Sequence, residues 1–116
     1  MYLNKSLLIL ISIICLINLI QPASSQCSCS YPIPPVDKTV KVTSPNGVNI
    51  RNKPCLNGVK IASLAKGTRF RPNLDCIGQC VNQGVKTNVW LEVNVSGGRK
   101  GFLWSGATGY SSKEVC

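Results

Sequence analysis

Histidine, the side chain that most often moves protons near neutral pH, does not occur in this 116-residue chain. Its absence removes Ser-His-Asp and Cys-His nucleophile systems and the common histidine zinc sites. A glycosidase needs two carboxylates across a cleft, and the four acids, Asp37, Asp75, Glu92 and Glu114, are scattered along the sequence. No catalytic residue and no cofactor are therefore assigned, and the chain reads as a non-enzyme. The chemistry left is that of cysteine, of aromatic and cationic binding groups, and of an Asn94-Val95-Ser96 acceptor for N-glycosylation.

Of seven cysteines, Cys15 lies in a leading apolar segment, and Cys27, Cys29, Cys55, Cys76, Cys80 and Cys116 form an even six behind it. In a small secreted chain that number reads as a disulfide framework, with 15 possible pairings. Cys27 and Cys29 are too close for an easy mutual bridge, so they are expected to reach different partners and tie the N-terminal tail onto the body. Cys116 would pin the other end. A zinc site would want close-spaced ligand pairs at finger-like intervals, which Cys27-Ser-Cys29 and Cys76-x-x-x-Cys80 do not match.

The leading segment supplies the secretory context. Lys5 gives a short positive start, Leu7 to Ile20 is almost wholly apolar, and Ala23 and Ser25 stand at signal-peptidase spacing, so cleavage is expected before Gln26. The 14-residue apolar run is short of the roughly 20 residues of a spanning helix, although an uncleaved signal anchor is the alternative. The expected product is a secreted, extracellular, soluble chain without a membrane span, and a monomer by default. Its 91 residues make one small domain, in which roughly 60–65% of the unfolded surface is buried, so covalent staples help.

Binding chemistry falls on a few residues. Arg51 stands just before a proline turn, where its guanidinium can clamp a carboxylate or, as is commoner at such corners, donate to carbonyls of a nearby turn. Trp90 lies opposite a valine face, either exposed for stacking on sugars and prolines or covered by the preceding cysteine-bearing segment. Phe102 and Trp104 share a face one strand later, so one side is read as a second core layer and the other as a shallow platform. The remaining cations, Arg69 and Arg71 among them, fall at outward strand positions and turns, and leave the mature chain near +8, with a preference for polyanions. The candidate ligand-binding set is thus Trp90, Arg51, Trp104, Arg69 and Arg71, and a glycan on Asn94 would crowd a site around Trp90. Nucleic acid is not expected as a partner, because recognition modules stack bases on adjacent aromatics.

These side chains are carried by short alternating runs broken by turn residues about every ten positions, the pattern of an all-β sandwich or small barrel. Residues 26–38 form an extended Cys/Pro-rich leader, whose Pro32 and Pro35 also make a PxxP spacing. Val40 and Val42 alternate, Ser44-Pro45-Asn46-Gly47 turns the chain, and Val48 and Ile50 then oppose Asn49 and Arg51. Val59 and Ile61 share one parity and Leu64 the other, which predicts a bulge near Ala62. Leu74 to Lys86 is the least regular stretch and is read as a long stapled hairpin loop. Val89, Leu91, Val93 and Val95 give the cleanest alternation, and Ser96-Gly97-Gly98 turns into a last run, Lys100 to Trp104.

The order of these pieces resembles the bacterial-type SH3-like domain, SH3b. The matching features are Val48-Asn49-Ile50-Arg51 followed by Pro54, Val59 to Leu64 with Lys66-Gly67-Thr68 behind it, Trp90 with Val93, and Gly101-Phe102-Leu103, over about residues 39–112. The resemblance implies a small SH3-like β-barrel, here disulfide-stapled, spanning 39–116 after the 1–25 signal peptide and the 26–38 leader. It further implies attachment to cell-wall peptide or glycan, a peptidoglycan-like polymer, in a family that commonly accompanies cell-wall hydrolases. The expected function is a secreted, non-catalytic binding module for such a polymer or another anionic extracellular ligand. The alternative is a disulfide-rich effector or inhibitor that inserts the 74–86 loop into a protein partner. The cysteines, the leader and the enlarged loop depart from the family pattern.

Overall fold

The computed structural model describes residues 27–34, 37–110 and 116; the apolar N-terminal segment with its cleavage site, Pro35 and Val36 of the leader, and Glu114 lie outside the described residues. The described chain is mostly β: β1 (Ser30–Ile33), β2 (Val40–Lys41), β3 (Val48–Arg51), β4 (Lys60–Leu64), β5 (Arg69–Phe70), β6 (Leu74–Asn82), β7 (Lys86–Val95) and β8 (Arg99–Trp104). A 3-10 turn, Ser105–Ala107, follows β8. Six strands form one antiparallel sheet in the order β1-β6-β7-β8-β3-β4, and β2 and β5 form a separate two-stranded ribbon.

The centre of the sheet shows why this arrangement forms. On β7, Val89, Leu91 and Val93 bury one parity, and Trp90 between them is buried too, so the middle of the strand is covered on both faces. Leu91 stands opposite Leu103 on β8, and Trp90 stands opposite Trp104 on β8 and Cys76 on β6. Two cores result. Val40, Ile50, Leu91, Val93 and Leu103 fill the aliphatic face, over which the ribbon lies through Val40 and Phe70. Cys76, Val81, Trp90, Trp104 and Ala107 fill the indole face.

Local chemistry fixes the corners. Gly47 adopts φ 74° and its N–H reaches the Ser44 carbonyl at 3.0 Å, closing the Asn-Gly turn that leads into β3. The bulge expected near Ala62 is present: Ile50 pairs with Ala62 but Arg51 with Lys60, leaving Ile61 as the extra residue. Cys27 bonds to Cys55, Cys29 to Cys76 and Cys80 to Cys116, with Cα separations of 5.2, 5.3 and 5.9 Å. Cys27 and Cys29 thus reach different partners, and the three cystines suit an oxidising, extracellular-type environment. Among the described residues no helix is long and apolar enough to cross a membrane.

Two expectations are corrected. The sheet is not closed into a barrel. Its edge strands are β1 and β4, and among the described residues the ribbon strands have no ladder with the sheet, an isolated bridge joining Val42 to Thr108 beyond β8. The leader explains this: β1 pairs along the outer edge of β6, so that edge has no room for the ribbon, and Pro72 between β5 and β6 has no N–H to extend a ladder. Residues 74–86 are also not a long loop. They form the nine-residue β6, the bend Gln83–Val85, and the first residue of β7. A register shift between Ile77 and Val81 hides the strand by breaking its alternation.

Candidate functional site

An open cavity of about 410 Å³ lies against the indole face. Its floor is made by Trp90 and Trp104 with Gly106 and Ala107 of the 3-10 turn. One wall is the turn that runs from Thr43 to Gly47, continued on β3 by Asn49 and Arg51, which share the outward parity of that strand. Leu56 and Gln83 close the remaining rim.

The floor is held from beneath. Trp90 is 1% exposed, its Nε1–H donating to the Gln79 carbonyl at 2.9 Å, and Trp104 donates through Nε1–H to the Thr87 carbonyl at 3.0 Å. Both indole donors are therefore spent inside the protein, and the two rings are buried, closing the cavity from below. Gly78 makes the fit possible, since a Cβ there would come within 2.7 Å of the Trp90 ring and 2.5 Å of the Pro54 carbonyl. The Pro54–Leu56 corner docks onto the same bulge: Gln79 N–H donates to the Pro54 carbonyl at 2.9 Å, and Leu56 N–H to Gln79 Oε1 at 2.8 Å.

Three of the five residues expected to bind ligand meet at this cavity: Arg51, Trp90 and Trp104. Of the two expectations for Trp90, the structure takes the covered one, because β6 and the Cys29–Cys76 link pack over it. Arg51 does what arginines at such corners commonly do, donating from Nη1 to the Gly58 carbonyl at 3.0 Å, while it also lines the cavity as its one charged side chain. Arg69 and Arg71 lie elsewhere, on and beyond β5, and Arg71 is in an exposed ion pair with Asp37 at 2.9 Å. Asn94 is exposed on β7, its side chain accepting from Asn73 Nδ2 at 2.9 Å.

Among the lining residues outside the expected set, Thr43, Ser44, Asn46, Asn49 and Gln83 are neutral and polar, and Pro45, Val48, Leu56 and Ala107 are apolar. Asn49 was legible as an outward strand position, and nothing more. Gln83 lies in the bend after β6, where the sequence shows no alternation from which to place a side chain. Chemically the cavity combines amide and hydroxyl groups and one guanidinium above a floor of buried rings. That combination suits hydroxyls and amides of a ligand with a carboxylate or similar anion among them. Comparison of the chain with family models, with curated proteins and with solved structures finds no match.

Proposed function

We propose that the chain is a secreted, non-catalytic SH3b-like binding module that holds a cell-wall peptide or glycan in the cavity on its indole face. The observation that carries this reading is the lining itself: side-chain amides and hydroxyls around two tryptophan rings, with Arg51 as the single charge. Such a site can hydrogen-bond a sugar or peptide at several points while the rings exclude water beneath it. None of the acids among the described residues lines it, so no pair of carboxylates is poised across the cavity for glycoside hydrolysis. The resemblance of the sequence motifs over about residues 39–112, in their order, to SH3b domains supports the choice of a wall polymer, and the basic surface would speed encounter with an anionic wall.

Cosedimentation of the oxidised protein with insoluble peptidoglycan tests the reading. Asn49→Ala combined with Gln83→Ala removes two exposed rim amides and should leave most of the protein in the supernatant with its fold unchanged. Failure of the native chain to pellet at any salt concentration, or equal pelleting of the variant, would overturn it.

A further inference from the structure

The ribbon β2–β5 carries a charge arrangement that its own stability does not explain. In its register Lys41 stands directly opposite Arg69, both exposed, a like-charge cross-strand pair that works against a ladder of two residues per strand. No acid of the described residues relieves it. Asp37 is in an ion pair with Arg71, Glu92 is in one with Lys100, and Asp75 accepts the Tyr110 hydroxyl. Arg69 and Arg71, alike in sequence, therefore differ in the fold: one is neutralised and the other faces a second cation.

The ribbon is a firm base for that pair. Val40 and Phe70 anchor it in the aliphatic core, Val42 N–H reaches the Thr68 carbonyl at 2.9 Å, and Gly109 N–H reaches the Lys41 carbonyl at 2.9 Å. The turn Ala65–Thr68, tied to Val42 by Gly67 N–H at 2.8 Å, places exposed Lys66 at the end of the same ribbon.

We propose that Lys41 and Arg69, with Lys66 beyond them, form a docking site for an anionic polysaccharide, one phosphate, sulfate or carboxylate group seating between the two opposed cations. Cross-strand partners are close enough for both heads to reach one anionic group, the guanidinium with two parallel hydrogen bonds and the ammonium as a point charge. A bound anion relieves the repulsion built into the ladder, so ligand binding and ribbon stability are linked. The choice of a polysaccharide rests on the reading of the chain as a wall-binding module, whereas the anion site does not.

The test titrates the oxidised protein with dextran sulfate, with neutral dextran and phosphatidylglycerol vesicles as separate arms, near physiological salt. Lys41→Gln with Arg69→Gln should weaken dextran sulfate binding by about tenfold or more, while the charge-matched pair Lys60→Gln with Lys86→Gln costs less than about twofold. The first variant should also melt no lower than the native protein, because it removes a repulsion. Equal loss in both variants would mean diffuse charge and overturn the proposal. So would vesicle binding without dextran sulfate binding, or unchanged affinity in the first variant. Loss confined to the first variant, in a protein that fails to pellet with peptidoglycan, would sink the cavity reading and keep this one.

Discussion

The two faces of the sheet solve the same burial problem by different means. The aliphatic face is sealed by side chains alone: Leu91 and Leu103 are both 0% exposed, and the ribbon lies over them through Val40 and Phe70. The indole face is sealed partly by covalent links, with the buried Cys76 tied to Cys29, and by a close backbone approach at Gly78, while part of it stays open as the cavity. A face that keeps an open cavity beside its buried rings gains less of its stability from burial. Cross-links that restrict the unfolded chain make up the difference without filling the opening.

Removing that covalent seal should have the largest effect. Cys29→Ala with Cys76→Ala opens a loop of 47 residues, which in the chain-entropy account costs about 4 kcal/mol. Urea denaturation monitored by tryptophan fluorescence should show this as a lower midpoint, and a loss under about 1 kcal/mol would mean the indole face stands on packing after all. Leu91→Ala strikes the other face at its most buried point and should cost about 3 kcal/mol through lost burial and the cavity left behind. Ligand binding by the molecules that remain folded should be unchanged, measured at a temperature well below the transition. A change in affinity as large as the change in stability would erase the division of labour between the faces.

A smaller effect sharpens the comparison at one atom. Gly78→Ala places a methyl against the Trp90 ring and the Pro54 carbonyl, neither of which is a flexible side-chain end, so about 1–3 kcal/mol of overpacking is expected. Because Trp90 also floors the cavity, this variant should shift indole fluorescence and weaken ligand binding together, which Leu91→Ala should not do.

How far these features were legible in the chain follows from where each is encoded. β3 and β7 show as period-2 runs because Ile50 on one and Thr87, Val89, Leu91 and Val93 on the other bury one parity, and the switch of parity near Ala62 gave away the β4 bulge. The bulge in β6 did the opposite, since its extra residues combine with Gly78 and the cysteines to erase the alternation on which strand reading depends. β1 was obscured by Pro32, which an edge strand tolerates. Arg51 could be assigned to its corner because the partner turn is close in sequence, seven residues away. The covering of Trp90, the cystine pairing, the open sheet and the contribution of Gln83 depend on contacts between distant segments, which no local pattern carries.

The gentlest perturbation acts on the aliphatic side. Tyr110 packs against that core, and its hydroxyl donates to Asp75 on β6. Burial first, then the hydrogen bond to Asp75 and the charge of that carboxylate, push its pKa from 10.0 up to about 12. The folded state therefore holds the phenolic proton more tightly than the unfolded chain does. The resulting stabilisation is fully present below pH 10 and is lost as pH rises through about 12. Tyr110→Phe removes both the hydrogen bond and the titration, so the stability gap between native and variant should be constant up to pH 10 and narrow above it. Urea denaturation of the two proteins at pH 8, 10 and 11.5 measures the gap, with the native phenol followed by its ultraviolet absorbance. A gap that does not change with pH, or a Tyr110 midpoint near 10, would remove this tether from the account. A narrowing gap would mean that alkali loosens the side closed by packing, while reductant loosens the side closed by cystines.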